Sequence, residues 1–330
     1  MNRGGVHEFI FGLEDGSQDE WLQFWELLGF RPVQSGQLGA ADAGRLYGHA
    51  SELASVRLRH SGCAAHDTGG VRLHFWKSLR NEGLARARPI VTGSRWMGIY
   101  TRDILQVLDS FEADQKRGRW KLWMSPLVAA PLAKPAPEHG WTQPFVGLRE
   151  LLVFSDRFRL AFIQRAGFDR PGFGTFDSTL PYHNTEGSHA NVVQPDNAFS
   201  TAFYKEIFGL ETAPFGEPHD SGEEAPTIAA LDLQPGETFH VERTRAPDCP
   251  TGLLQVYSSY VPGRDLRDLS RAGSGNLCLY SFRVSDVEAL GRRIRSAGQE
   301  VALADDEFGA PSACFNAPDG YQWLACQHVD

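Results

Sequence analysis

The feature that most constrains the fold of this 330-residue chain is an internal repeat. Residues 6–32, VHEFIFGLEDGSQDEWLQFWELLGFRP, match residues 188–210, SHANVVQPDNAFSTAFYKEIFGL. In both segments a histidine opens an extended apolar stretch, which leads through an acidic turn to an aromatic helix and a glycine. The match continues downstream, where residues 55–78 align with residues 239–259. Repetition on this scale predicts several copies of one supersecondary unit.

A second, weaker copy lies within each half. The segments GSRWMGIYTRDILQVLDSFEADQ, from residue 93, and GSGNLCLYSFRVSDVEALGRRIRSAG, from residue 273, both predict a strand, an Asp-containing turn and an amphipathic helix. Strand-like runs follow both. The sequence therefore predicts an α+β fold built from four βαβββ modules.

The boundaries between the units follow from composition. Residues 169–188 are rich in Gly, Pro, Ser and Asn and have neither a helical nor a strand period, which predicts a linker there. The predicted N-terminal domain is 1–168, with modules at about 1–88 and 89–168, and the C-terminal domain is 189–330, with modules at about 189–270 and 271–330. The Pro-rich segment 131–144 is interpreted as a surface insertion or as a flap over a pocket.

The composition argues against several kinds of binding partner and cellular location. A net charge of -9 without a basic cluster argues against nucleic acid as a partner. No run of about 18 apolar residues predicts a membrane span, and no apolar N-terminal stretch predicts a signal peptide, so we expect a cytoplasmic protein. Five scattered cysteines without a CxxC pair argue against a disulfide framework and a thiolate zinc site.

The first-strand and helix pattern carries a family resemblance. His189, Asp196, Phe203, Tyr204 and Gly209 follow the order histidine, strand, Asp, helix with FYxxxxG. This order resembles the vicinal oxygen chelate superfamily, which includes glyoxalases, bleomycin-resistance proteins and extradiol dioxygenases. The closing NAPDGYQWLAC, residues 316–326, is similar to that family's DPDG turn. The resemblance implies two open, cup-shaped β-barrels with helices outside, each made from two modules, so we expect one barrel from each half of the chain.

In proteins of this family a metal sits in the cup, held by side chains from the first and last strands of the modules. Strands curved round a hollow present alternate side chains inward, so ligands from several strands converge on one ion. The residues at these positions are His7 and His74 in the first half and His189 and Gln255 in the second. The partner modules place Trp96, Ala161, Leu279 and Leu324 there, none of which binds a metal.

Two further sets of residues follow from strand alternation. If the register is shifted by one or two residues, the missing ligand could be Glu242, Glu150 or His240. The residues expected to line the cups and contact a substrate are Arg72, Trp76, Trp96, Asn191 and Tyr257. The planar fork of Arg72 suits an anionic group, and the aromatic rings suit an aromatic ligand.

Two classes of function remain at this point. The first is an enzyme of lyase, isomerase or dioxygenase-like type that acts on a small organic or aromatic substrate with iron, zinc, manganese or nickel. The second is a metal-free small-molecule binding or resistance protein of the bleomycin-resistance type. The paired histidines favour the enzyme, whereas the missing carboxylates favour the binding protein. The GxSxG, GxxxxGK[ST] and HExxH motifs are absent.

Overall fold

The protein was studied as a computed structural model. It describes residues 2–85, 87–131, 145–168, 174–195, 201–213, 219–221, 225–261 and 263–328. Asp196 and the predicted flap from residue 132 to residue 144 lie outside the described residues. No helix in these ranges has the length and apolar character needed to span a membrane.

The N-terminal half contains two units of strands and helices. The first comprises β1 (Asn2–Glu14), α1 (Gln18–Leu27), β2 (Arg31–Leu38), α2 (Ala40–Tyr47), β3 (Leu53–Arg59), a 3-10 turn (Ser61–Ala65) and β4 (Gly70–Trp76). The second comprises β5 (Arg95–Thr101), α3 (Ile104–Lys116), β6 (Leu122–Met124), β7 (Val128–Pro131), β8 (Gly147–Ser155) and β9 (Arg159–Ala166).

The C-terminal half repeats this arrangement. The third unit comprises β10 (Asn184–Gln194), α4 (Ala202–Phe208), β11 (Glu211–Thr212), β12 (His219–Ser221), α5 (Ala225–Leu231), β13 (Phe239–Arg245) and β14 (Leu253–Ser259). After a 3-10 turn (Arg267–Leu269), the fourth comprises β15 (Asn276–Val284), α6 (Val287–Ser296), β16 (Val301–Asp305), β17 (Pro311–Asn316) and β18 (Gln322–Gln327). The predicted α+β fold of four units paired into two cups is confirmed. Strand β10 begins inside the predicted linker 169–188.

The strand order pairs the units differently from the prediction. One sheet runs β16-β17-β18-β15-β1-β4-β3-β2 and joins the first unit to the fourth. The other runs β11-β13-β14-β10-β5-β9-β8-β6 and joins the third unit to the second. We call these sheets the first cup and the second cup. The expected barrels from residues 1–168 and 189–330 are wrong, because β1 pairs antiparallel with β15 and β10 pairs antiparallel with β5.

Helices α1, α3, α4 and α6 pack on the convex faces of the sheets, in the largest apolar cluster of the protein. Two of them begin as the sequence predicts, at an Asp. Asp103 accepts a hydrogen bond from the Gln106 N–H at 3.1 Å, and Asp286 accepts one from the Ala289 N–H at 2.8 Å. Such caps satisfy backbone donors that a helix N-terminus leaves free.

The convex faces of the two cups also touch each other. Gly187 of β10 lies against the Phe9 ring of β1, where an added Cβ would come within 2.4 Å of a ring carbon. The buried Tyr280 hydroxyl donates to the Asn191 carbonyl at 2.7 Å and so links the sheets by a hydrogen bond. The missing side chain at Gly187 permits this close approach, and the two cups form a continuous core.

The two remaining helices lie against the concave faces and partly fill the cups. In the first cup, α2 contributes Ala43, Leu46 and Tyr47 to a cluster with Trp76 and Leu279. In the second cup, Ala230 and Leu231 of α5 belong to the inner cluster. The sequence predicted helices only outside the cups, so the positions of α2 and α5 on the concave faces were not predicted.

Candidate functional site

Polar side chains from several strands converge in the second cup. His189 and Asn191 of β10 lie beside Gln255 of β14, because Asn191 is paired with Gln255 in the parallel ladder. On the other side, His189 is paired with Gly98 and Asn191 with Trp96 of β5. Paired residues present their side chains on one face of a sheet, so these groups share the concave surface. The structure thus brings His189, Gln255 and Asn191 to one face of the second cup.

The His189 imidazole lies flat across Gly98. A Cβ at position 98 would come within 1.9 Å of the His189 ring, so only glycine leaves room for it. The Ser188 hydroxyl donates to the Gly98 carbonyl at 3.0 Å and lies 2.8 Å from His189 Nδ1. A hydroxyl has a single proton, so Nδ1–H donates to Ser188 and the Nε2 lone pair remains available.

His189 is held in its neutral form. Burial, together with the positive charges of Arg243 and Arg165, lowers its pKa from 6.5 to about 3. Its ring carries no proton on Nε2 at any pH near neutrality. A neutral imidazole accepts a hydrogen bond or a proton from a bound molecule but offers no positive charge to it.

Gln255 is held by two donors. Its Oε1 accepts from Arg243 Nε at 3.2 Å and from the Tyr257 hydroxyl at 3.2 Å. Arg243 is paired with Gln255 across the β13–β14 ladder and is half-buried. These bonds orient the Gln255 carbonyl towards the guanidinium. Within the described residues the two terminal nitrogens of Arg243 make no hydrogen bond, so they remain available to a ligand.

Glu150 of β8 faces the same hollow. It alternates with Leu152 and Phe154, which belong to the inner apolar cluster of the second cup. Burial raises the pKa of its carboxyl to about 7, against the opposing effect of Arg243. The described part of the chain supplies no hydrogen bond or ion pair to this half-buried carboxyl. A carboxyl that titrates near pH 7 without a partner is characteristic of a functional position.

Aromatic rings form the wall behind these polar groups. Trp96 packs against Tyr257 with ring centroids 5.2 Å apart, and Phe239 packs against Tyr257 at 5.3 Å. The Asn191 amide donates to the Trp96 carbonyl at 3.0 Å, which fixes its orientation. The second cup thus has a polar end, formed by His189, Gln255, Arg243 and Glu150, and an apolar wall.

The first cup is closed by a network of buried charges. The fully buried Arg72 guanidinium donates to Glu8 Oε2 from Nε at 2.9 Å, to Glu307 Oε1 at 3.1 Å and to Asp306 Oδ2 at 3.3 Å. Arg57 donates to the other Glu8 oxygen at 2.6 Å. Burial alone would raise the pKa of Glu8, but Arg57 and Arg72 hold it well below its usual value. Arg72 is therefore committed to internal carboxylates.

His74 belongs to this network. Its Nε2 lies 3.0 Å from Glu307 Oε1, and the Tyr47 hydroxyl donates to Glu307 Oε2 at 2.8 Å. Trp76 packs edge-on against His74 and Tyr47, with centroids 5.8 and 5.9 Å apart. His74 and Trp76 both lie inside the first cup, fully enclosed in the core.

His7 does not meet His74. It lies beside Glu8, with Nε2 3.8 Å from Glu8 Oε1 and 2.9 Å from Arg59, and Nδ1 bonds to the Asp67 carbonyl at 2.7 Å. His74 is paired with Gly12 of β1, further along the strand, so the predicted convergence of the two histidines is wrong. The pairing of β1 with β15 shifts register between residues 6 and 8, so counting alternate residues fails there.

Glu242 lies on the outer face of β13. Its carboxylate accepts a hydrogen bond from the Thr201 hydroxyl and lies 3.8 Å from Lys205 of α4. The sequence contained the signal for this orientation. Phe239, Val241 and Arg243 form one alternating set, which places Arg243 inside and Glu242 outside.

The residues of neither cup fit a divalent metal. Within the described ranges no three His, Cys, Asp or Glu side chains come close enough together to hold an ion. In the second cup, Gln255 Oε1 already accepts from the Arg243 guanidinium, whose charge repels a cation. In the first cup, Arg72 occupies the space between the carboxylates. A hard or borderline metal needs several oxygen or imidazole donors without a competing cation.

The fold of the chain is similar to those of several solved structures. No protein-family model and no curated protein matches the chain. Among solved structures, a putative dioxygenase from Bacillus subtilis is 14% identical, with 100% of this chain and 86% of that one covered and a TM-score of 0.57. Glyoxalase I from Zea mays is 12% identical, with 98% and 92% covered and a TM-score of 0.56. The chain has the vicinal oxygen chelate fold.

The vicinal oxygen chelate fold accounts for the two cups, which differ in the side chains that line them.

Three residues of the cups were not predicted from the sequence: Glu8, Glu307 and Arg243. Glu8 is hidden by the register shift in β1, and Glu307 lies in the turn after β16, which no strand pattern covers. The described part of the chain thus offers one closed cup and one cup with a partly exposed polar end.

Proposed function

We propose that this protein binds a small organic anion with an aromatic body in the second cup, without a resident metal. The observation that carries the proposal is the convergence of Arg243, Gln255, His189 and Glu150 on the concave face of the second cup, beside the rings of Trp96 and Tyr257. The anionic group lies against the terminal nitrogens of Arg243, and the body of the ligand packs against Trp96 and Tyr257. Ligand pockets commonly combine an apolar lining with a few placed polar groups.

Replacement of Arg243 tests this proposal. With 2-naphthoate as the probe in titration calorimetry, we expect Arg243→Ala to weaken binding by about tenfold to a hundredfold, because a hydrogen bond to a charged group contributes about 1.5–3 kcal/mol. The matched control is Arg245→Ala, two residues along the same strand, whose guanidinium is paired with Glu211 at 2.8 Å. Equal affinities for the wild type and Arg243→Ala, or an equal loss in the control, would contradict the proposal.

A second candidate function is metal-free proton transfer, and it is favoured by the raised pKa of Glu150. In such a reaction the Glu150 carboxylate removes a proton from a carbon next to a carbonyl. The C–H bond breaks, an O–H bond forms on Glu150, and the electron pair moves to the carbonyl oxygen as an enolate. The Arg243 guanidinium stabilises this oxyanion, and return of the proton to the same carbon re-forms the C–H bond and the carbonyl, which epimerises that carbon where it is a stereocentre.

Exchange with solvent deuterium distinguishes this enzyme from a binding protein. With 3-benzoylpropionate, which combines a carboxylate with an aryl ketone, we expect the wild type to speed the loss of the proton NMR signal next to the ketone. Glu150→Gln should reduce that rate by about a hundredfold or more, while calorimetry shows retained binding. If exchange is no faster with the wild type than without protein, the protein only binds its ligand.

A further inference from the structure

The opposite end of the second cup opens into a separate cavity of about 980 Å³. Its wall includes Trp120 and Trp123, near and in β6, Phe154 at the end of β8, and Arg159 at the start of β9. None of these residues belongs to the polar end. Trp96 separates the two regions, because it packs against Tyr257 on one side and against Phe154, at 6.3 Å, on the other.

Aromatic side chains give this cavity a flat, apolar wall. The Trp123 ring lies 5.5 Å from the Phe154 ring, and 36% of the Trp123 side chain is exposed. The neighbouring Trp120 is 6% exposed and is held in place by Trp21 and Phe158. A partly exposed tryptophan in a wall that is otherwise rigid offers a stacking surface for a planar ring.

A buried positive charge lies behind the same wall. The Arg159 guanidinium is fully buried and lies 3.8 Å from the centroid of the Phe154 ring. Its donors are satisfied by neutral acceptors, namely the carbonyls of Arg95, Leu84, Ala87 and Arg88 and the hydroxyl of Ser94. Within the described residues no carboxylate pairs with it.

The absence of an internal counter-charge among the described residues makes Arg159 unlike Arg72 of the first cup. Arg72 is surrounded by Glu8, Asp306 and Glu307, whereas Arg159 is surrounded by carbonyls. Burial lowers the pKa of Arg159 to about 9, so the group still carries its charge at neutral pH. Glu14, Glu82, Asp156 and Asp232 also line the cavity, but their side chains are exposed and screened by solvent. The buried charge of Arg159 is not screened in this way, so it attracts an anion over several ångströms.

We propose that this cavity is a second ligand site, which takes a flat aromatic acid. The ring of the ligand stacks on Trp123, and its acidic group lies towards the Arg159 end of the cavity. This site shares no residue with the polar end, so a negative result at one site does not contradict the proposal for the other.

The test uses 1-anilinonaphthalene-8-sulfonate, a planar aromatic anion, and its neutral analogue N-phenyl-1-naphthylamine, both titrated by fluorescence. The titrations use the Arg243→Ala variant, in which the polar end no longer holds an anion, so that only this cavity is tested. In that variant we expect the sulfonate to bind with a stoichiometry of one and at least about tenfold more tightly than the neutral analogue. Adding Trp123→Ala should weaken the binding of the sulfonate by about tenfold, since the ligand loses its stacking surface.

Two results would overturn the proposal. If Arg243→Ala/Trp123→Ala binds the sulfonate as tightly as Arg243→Ala, the probe does not occupy this cavity. If the neutral analogue binds as tightly as the sulfonate, the charge of Arg159 plays no part and the site does not select acids. Trp123 is partly exposed, so its replacement should leave the unfolding midpoint of the protein nearly unchanged, and this is checked first.

Discussion

Replacing Arg72 with methionine is expected to lower the free energy of unfolding by about 3–5 kcal/mol. The fully buried guanidinium is the shared partner of Glu8, Asp306 and Glu307, all of which are themselves buried. Methionine fills much of the same volume but leaves buried carboxylates without their counter-charge. Urea unfolding of the wild type and the variant at pH 7 measures the difference.

Two further variants separate charge from packing. Arg45→Met, which breaks an exposed pair with Asp42 on α2, should change the free energy of unfolding by no more than about 0.5 kcal/mol. The double variant Glu8→Gln/Arg72→Met should recover part of the loss, because it removes one of the unpaired charges. A loss below about 1 kcal/mol in Arg72→Met would contradict the idea that this network holds the first cup closed.

The second large effect concerns Glu150 and has the opposite sign. At pH 8, Glu150→Gln is expected to raise the free energy of unfolding by about 3 kcal/mol, because the pKa of this carboxyl rises from 4.5 to about 7 on folding. Below pH 4.5 the carboxyl is protonated in both states. Between pH 4.5 and 7 only the folded state keeps the proton, so stability falls as pH rises and is constant above pH 7.

Other groups also titrate in this pH range, so the effect of Glu150 is isolated only by comparing the free energies of unfolding of the wild type and Glu150→Gln at each pH. His189, with its pKa lowered to about 3, contributes a loss of stability as pH falls below 6.5, and it does so in both proteins. Unfolding curves at pH 4, 5, 6, 7 and 8 should show a difference near zero at pH 4 that grows to its full value by pH 8. A difference independent of pH would mean that Glu150 titrates normally and would remove the support for its role in proton transfer.

The repeat in the sequence was sufficient to predict the four units but not which two units share a sheet. Each unit carries the same pattern of strands and helix, so nothing in that pattern states which first strands will pair. The choice is made by contacts such as Gly187 against Phe9 and Tyr280 against Asn191, which join distant segments. Tertiary contacts of this kind leave no periodic trace in the sequence.

Strand alternation predicted the interior of the second cup better than that of the first. His189, Asn191, Gln255 and Tyr257 share the concave face as expected, because β10 and β14 run without a register shift from residue 189 onwards. In β1 the shift between residues 6 and 8 leaves His7 beside Glu8, so strand alternation cannot be counted through it. A buried ion-pair network around Glu8 and Arg72 lies where a histidine pair was predicted.

The measurement that tests the account most directly is calorimetric titration of the wild-type protein with 2-naphthoate after treatment with EDTA and removal of the chelator. We predict that 2-naphthoate binds with an affinity unchanged by added iron, zinc, manganese or nickel, because Arg243 supplies the charge that holds the anion. Binding that appears only when one of these metals is added would contradict the account and would support a metal-dependent enzyme instead.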